Sequence, residues 1–223
     1  MKVSCIVPVY NEGERVLGVL NAIVGHELVD EVIVVNDGSR DNTKEVLDRT
    51  SGINFISLPE NHGKSFAVMT GLKAARNELV MMIDSDLLGL RKESITALIE
   101  PVVQNQADMT MSLRKNSLGI YKLFGCDFFS GERVFYKSIL GDLDQIQKLK
   151  GFLLESYINK ILIEKNLRLK VVKWENVVTP RKSVKMGFWQ GSYGDFKMVK
   201  LIVSYLGIFG TIKMISGLLR LKV

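Results

Sequence analysis

The run Val80-Met81-Met82-Ile83-Asp84-Ser85-Asp86 passes from four apolar residues straight to two carboxylates one residue apart. An unbroken apolar run with polar bounds is the pattern of a strand buried on both faces, as in a parallel sheet covered by helices. The carboxylates then fall at the strand's end. In a continuing strand they would point to opposite sides, but in a turn both can reach one hard cation that carries a diphosphate. Asp84 and Asp86 are therefore the candidate metal ligands, with Mg²⁺ or Mn²⁺ the cation suited to oxygen donors.

Outward from this run the chain alternates strands and helices. Val3 to Val7 reads as a first strand ended by Pro8, which has no N–H to give a ladder. Asn11-Glu12-Gly13-Glu14 opens a helix along which Val16, Leu17, Leu20, Ile23 and Val24 recur at helical spacing. Glu31 to Val35 is a second strand, ended by Asn36-Asp37-Gly38-Ser39, with Asp41 or Thr43 capping the next helix. Ile53 to Leu58 is a third strand, and Asn61-His62-Gly63-Lys64 leads into a helix that carries Phe66, Met69 and Leu72. This order implies an α/β domain with a mostly parallel sheet, right-handed crossovers and helices on both faces. Ligands bind such sheets beyond the carboxyl ends of the strands, which gathers Pro8-Val9-Tyr10, Asp37-Gly38-Ser39, Asn61 to Lys64 and Asp84 to Asp86 into one crevice.

Beyond the crevice segments, Ile95, Leu98, Ile99, Val102 and Val103 predict a helix in which Pro101 forces a kink or an early end. A strand over Ala107 to Leu113 follows. Between Arg114 and Leu143 the periodicity weakens while basic and aromatic residues interleave, which marks a place for an acceptor pocket. Gly151 to Lys165 reads as a helix, Leu167 to Trp174 as a strand and Asp195 to Leu219 as a second long helix.

The 223 residues contain no Pro/Gly/Ser-rich linker, so one catalytic domain over 1–194 with a C-terminal element over 195–223 is expected. A hydrophobic share of 47% beside 24% charged residues excludes a disordered chain. Cys5 and Cys126 stand at no metal or redox spacing and read as buried thiols of a reducing compartment. No signal peptide is read at the start, because Pro8 interrupts the apolar run too soon. The net charge of +6 is uneven: nine Lys/Arg face two acids between Val171 and Val223, which leaves the rest of the chain one charge negative. A basic, apolar tail implies an anionic surface as neighbour. Leu201 to Ile212 is too short for a spanning helix, which takes about 20 residues. An interfacial or packed helix fits better. The tail carries no nucleic-acid motif, so no nucleic-acid partner is expected. A dehydrogenase is excluded because no G-x-G-x-x-G follows the first strand.

Val3-Ser4-Cys5-Ile6-Val7-Pro8-Val9-Tyr10-Asn11-Glu12, Val35-Asn36-Asp37-Gly38-Ser39-Arg40-Asp41, Asn61-His62-Gly63-Lys64 and Asp84-Ser85-Asp86, in this order and spacing, closely resemble the family 2 glycosyltransferases of the GT-A fold. In the second half, Gly131-Glu132-Arg133-Val134-Phe135 and Arg181-Lys182-Ser183-Val184-Lys185 look like segments of dolichol-phosphate mannosyltransferases and related polyprenyl-phosphate glycosyltransferases. The resemblance implies that Pro8, Tyr10 and Glu12 line a nucleoside pocket, that Asp37 accepts from base or ribose, and that Lys64 adds charge beside a phosphate at the helix start. It implies that Asp84 and Asp86 hold the metal-diphosphate, with Asp86 catalytic through that ion.

For the acceptor, a phosphate needs cations rather than a base, and Arg114, Arg133, Arg181 and Lys185 are the candidates. Arginines at positions like Arg114 and Arg133 serve that phosphate in the enzymes resembled. A hydroxyl acceptor instead needs a general base, for which Glu155 is the nearest candidate; its alternative is an exposed helix carboxylate. The expectation is an inverting, metal-dependent hexosyltransferase that moves sugar from a nucleoside-diphosphate donor to a polyprenyl phosphate, peripheral at the cytoplasmic face of a membrane. The alternatives are transfer to a polysaccharide or glycolipid hydroxyl, and a noncatalytic nucleotide-sugar binding subunit of a membrane assembly.

Overall fold

The computed structural model describes residues 2–147, 149, 153–180, 207 and 209–223. Among these residues seven strands form one sheet: β1 (Val3–Val9), β2 (Val29–Asn36), β3 (Asn54–Ser57), β4 (Leu79–Met82), β5 (Met109–Arg114), β6 (Arg133–Tyr136) and β7 (Leu169–Trp174). Their spatial order is β3-β2-β1-β4-β6-β5-β7. All neighbours pair in parallel except β6, which runs antiparallel between β4 and β5. The chain therefore steps from β1 outward to β3 and returns to place β4 on the other side of β1. That reversal is the topological switch point, where an α/β sheet opens a crevice.

Alternation along β1 assigns each face its helices. Val3, Cys5, Val7 and Val9 point into one core with α1 (Arg15–Ile23) and α4 (Lys92–Val103), whereas Ile6 points into a second core with α3 (Lys64–Ala74) and α7 (Leu153–Glu164). Val16, Val19, Leu20 and Ile23 form the buried stripe of α1, and Ile95, Leu98, Ile99 and Val102 that of α4. Pro101 lies inside α4 near its end, and the helix runs two residues beyond it to Val103. The Pro101 carbonyl then accepts from the N–H groups of Gln106 and Ala107 as the chain leaves the helix.

Several expected boundaries move. β1 continues through Pro8 because its register with β4 ends at Ile6, so no ladder bond is lost on that side. α1 begins only at Arg15, since Asn11 (φ 54°) and Gly13 (φ 52°) are left-handed and cannot sit in a helix. The acids Glu12 and Glu14 thus precede the helix rather than occupying its first turn. The weakly periodic region resolves into α5 (Gly119–Phe124), β6, a 3₁₀ turn at Lys137–Ile139 and α6 (Leu143–Gln147).

Part of the expected C-terminal helix lies outside the described residues; 209–220 are helical. This helix packs on the body, with Met214 and Leu218 buried in the same core as α3 and α7. Beyond it the backbone bonds to the start of β7, through Leu169 N–H to Leu221 O (2.9 Å) and Val223 N–H to Leu169 O (3.0 Å). No helix among the described residues is long and apolar enough to cross a membrane. Both cysteines are free and buried, and burial pushes the Cys126 thiol up to about 11.

Candidate active site

Three loops at the carboxyl ends of β1, β2 and β3 are bound into one rim. Thr43 Oγ1, at the start of α2 (Thr43–Asp48), accepts the N–H groups of Glu12 (2.9 Å) and Gly13 (2.7 Å). Asn11 takes part from the other side: its N–H donates to Ser39 Oγ and its Oδ1 accepts from Arg40 N–H. Within this rim Tyr10 is 41% exposed, Pro8 is half-buried and the Glu12 carboxylate holds Arg15 at 3.0 Å.

Asp37 faces inward. Its Oδ1 accepts the His62 N–H (2.9 Å), and its Oδ2 accepts the Gly63 N–H (2.8 Å) and the Asn61 side-chain amide (2.9 Å). The carboxylate is buried and ties the β3–α3 loop to the end of β2. Three bonds to that loop give Asp37 an organising role beside the contact with base or ribose expected of it. Gly38 permits this: with φ 63° it lies so close to the loop that a Cβ would stand 2.3 Å from the Glu60 carbonyl carbon.

At the switch point Asp84 follows β4, and Ser85 and Asp86 form a turn. Lys64, the first residue of α3, sends its ammonium between two carboxylates. Nζ lies 2.7 Å from Asp84 Oδ1 and 2.8 Å from Glu155 Oε1. Burial alone would lower the Lys64 value, but Asp84 and Glu155 outweigh it and hold the ammonium charged. Burial likewise pushes Asp84 up, and Lys64, with Arg114 beyond, overcomes this and holds the carboxyl below its usual range. Gly131 is the floor of this pair. A Cβ there would stand 2.5 Å from both Asp84 Oδ1 and Lys64 Nζ, so any larger residue would push on both tips.

Glu155 is the clearest departure from expectation. It is fully buried on α7, not exposed, and while Oε1 pairs with Lys64, Oε2 has no hydrogen-bond partner among the described residues. A base for an incoming hydroxyl needs access, which this position lacks.

A second polar cluster adjoins Asp84. Glu132 is buried and accepts from Ser112 Oγ (2.5 Å), Ser130 Oγ (2.7 Å) and Arg114 Nη1 (3.0 Å). Burial, and then the charge of Asp84, push its carboxyl up against the pull of Arg114. Arg114, at the end of β5, also reaches Asp127 at 3.3 Å and feels both Asp84 and Asp86. These carboxylates raise its value against the effect of burial. The clustering of Glu132 and Asp127 around Arg114 was not read from the sequence; two acids within six residues, Asp127 and Glu132, were the available signal.

Arg133 corrects a further expectation. Next to Glu132 on β6, it turns to the opposite side, and its fully buried guanidinium donates to Ser130 O (2.8 Å), Phe128 O (3.1 Å) and Asn159 Oδ1 (2.7 Å). Burial lowers its pKa, against the pull of Glu155. It is a core crosslink between β6 and α7, with no surface to offer an acceptor phosphate. Arg181 and Lys185 lie outside the described residues. The segment leading to them is placed beside the site, since Leu88 N–H donates to Val178 O (2.8 Å) and Lys115 N–H to Val177 O (3.1 Å).

The donor set at Asp84 and Asp86 fits a hard divalent cation only in part. Among the described residues no group of three or more His, Cys, Asp or Glu is arranged to hold a metal. Two carboxylates with a diphosphate and water supplying the other oxygens is the arrangement Mg²⁺-type ions accept.

The model of the glycosyl transferase family 2 matches residues 4–124, which span β1 to α5 and both aspartates. A dolichyl-phosphate beta-glucosyltransferase of Trichomonas vaginalis is 33% identical over 153 residues, 62% of this chain and 45% of that protein. A poly-beta-1,6-N-acetyl-D-glucosamine synthase of Staphylococcus epidermidis is 29% identical over 157 residues, 67% of this chain and 36% of that protein. The chain thus spans less than half the length of either relative. Among solved structures, glucosyl-3-phosphoglycerate synthase from Mycobacterium tuberculosis, in complex with Mn²⁺ and UDP-glucose, superposes with a TM-score of 0.67. At 22% identity, covering 80% of this chain and 71% of that one, this is a likeness of fold, the GT-A fold. With the family match covering more than half of its length, the chain belongs to glycosyl transferase family 2.

Proposed function

We propose that this chain carries the catalytic domain of an inverting hexosyltransferase that moves a sugar from a nucleoside-diphosphate donor to a polyprenyl phosphate. The observation that carries the reading is the Asp84–Lys64–Glu155 array at the switch point, with Arg114 alongside. A held ammonium beside a pair of aspartates suits a leaving diphosphate. Asp84 and Asp86 would hold Mg²⁺ or Mn²⁺, which when bound offsets charge on that leaving group. Tyr10, Pro8 and Glu12 line the nucleoside side of the rim.

An already anionic acceptor needs no proton removed, which agrees with a Glu155 that is buried and paired. Arg114 is then the described candidate cation for the acceptor phosphate, with Arg181 and Lys185 as further candidates. The relative that is named a dolichyl-phosphate glucosyltransferase supports this class of acceptor. The relative that is named a polysaccharide synthase keeps a hydroxyl acceptor in view. A lipid-borne acceptor supports peripheral membrane association, for which the cytoplasmic face is our reading.

The test is transfer of labelled sugar from a panel of nucleoside-diphosphate sugars to a polyprenyl phosphate or to an oligosaccharide, with and without Mn²⁺. Label entering the lipid, dependent on metal and reduced roughly 100-fold or more in Asp86→Ala, is the expected result. Label entering the oligosaccharide alone overturns the acceptor. Transfer to neither, with no donor binding, leaves a noncatalytic module.

A further inference from the structure

α5 presents the wrong face to water. A surface helix normally turns its apolar stripe inward. Here Tyr121 is the residue that turns in, its ring edge-on to Phe128 with centroids 5.8 Å apart. Ile120 and Leu123, three apart on the other side, are 56% and 82% exposed, Leu118 just before them is 43% exposed, and Phe124, whose ring tilts against Phe128 at 6.1 Å, still leaves 37% exposed. The C-terminal helix repeats the pattern. Met214 and Leu218 are buried against the body, whereas Phe209 and Ile212 stand 89% and 59% exposed. Lys222 joins the two pieces, since its ammonium donates to Phe124 O and Gly125 O, each at 3.0 Å.

Charge identifies the occupant. Residues 115–126 and 207–223 contain Lys115, Lys122, Lys213, Arg220 and Lys222, all exposed, and not one Asp or Glu. A second copy of the same surface would set these cations against one another. A soluble anion would have no use for the apolar side chains. An anionic lipid bilayer satisfies both, with apolar side chains entering the acyl boundary and lysines meeting headgroups. We propose that α5 and the outward face of the C-terminal helix dock this chain on an anionic membrane surface.

The patch is firmly connected to the active site. α5 starts five residues after Arg114, and Ser117, between them, donates to the same Asp127 that Arg114 contacts (2.8 Å). Docking by α5 therefore brings the Arg114 side of the crevice to the headgroup layer.

The experiment is co-sedimentation of the chain with phosphatidylcholine vesicles, with and without phosphatidylglycerol. It compares wild type with Ile120→Asn/Leu123→Asn and with Phe209→Asn/Ile212→Asn, whose folding is checked by circular dichroism. Wild type is expected to pellet with the anionic vesicles and weakly with neutral ones, and Ile120→Asn/Leu123→Asn to reduce partition by about tenfold or more. Equal pelleting with both vesicle types, or no loss in either double variant, overturns the proposal. So does a wild-type dimer in sedimentation equilibrium that Ile120→Asn/Leu123→Asn dissociates, since the occupant is then a second copy. The vesicles contain neither polyprenyl phosphate nor sugar donor, so this outcome is separate from that of the transfer assay.

Discussion

Glu155 Oε1 lies 2.8 Å from Lys64 Nζ, although 91 residues separate the two in sequence. The bond spans from α7 to the first turn of α3, and the same ammonium reaches Asp84. One lysine thus ties the second half of the chain to the acid pair after β4.

Glu155→Ala leaves Lys64 with Asp84 alone and is expected to cost about 2–3 kcal/mol in urea unfolding, less than a fully dry pair because Lys64 keeps some solvent access. Glu155→Gln retains an acceptor oxygen and should cost less. If Glu155 positions Lys64, the Gln variant loses less than about tenfold in transfer. A general base would lose roughly 100-fold or more in the same assay.

Gly131→Ala places a methyl group where Asp84 and Lys64 meet. The carboxylate and ammonium tips must shift, and metal-dependent donor binding, measured by calorimetry, is expected to weaken by about tenfold or more. The thermal transition should fall only modestly, since overpacking costs about 1–3 kcal/mol.

Arg133→Ala removes a buried crosslink and strands Asn159 Oδ1 and the Ser130 carbonyl, while the Phe128 carbonyl keeps the Asn159 Nδ2 amide at 2.7 Å. The expected loss is about 3 kcal/mol in chemical unfolding. Donor affinity per folded molecule should be unchanged. A folded, stable variant that fails to use the acceptor would return Arg133 to the active site.

The Glu132 carboxyl is raised in the folded state, by burial and by Asp84. Its protonated form favours folding, so that contribution is present below the unfolded value of about 4.3 and is lost as pH rises through the folded value. Glu132→Gln cannot lose it. The stability of wild type minus that of Glu132→Gln should therefore fall as pH rises above about 4.3, read from urea midpoints across pH. A difference that grows with pH would show that Arg114 dominates at this site instead.

Strands β1, β2 and β4 were legible because each is an apolar run ended by a turn former, and burial on two faces demands that pattern whatever the partners. β6 was not legible. Its four residues begin with a charged one, Arg133, and they form a strand only because β4 and β5 supply ladders on both sides. The start of α1 shifted for a comparable reason, since the hydroxyl of Thr43 holds the loop at Glu12 and Gly13 from 30 residues away.

The sequence alone was enough to set the alternating architecture, the crevice at the carboxyl edge and the acid pair after β4, because these depend on local periodicity and on the handedness of crossovers. It could not say which charge meets which. Asp37 binds loop amides, Arg133 crosslinks a core, Glu155 is buried against Lys64, and α5 turns its apolar side outward. Each of these follows from desolvation and from partners that only the folded chain brings within about 3 Å, where the energy of a charge is decided by its neighbours rather than by its place in the sequence.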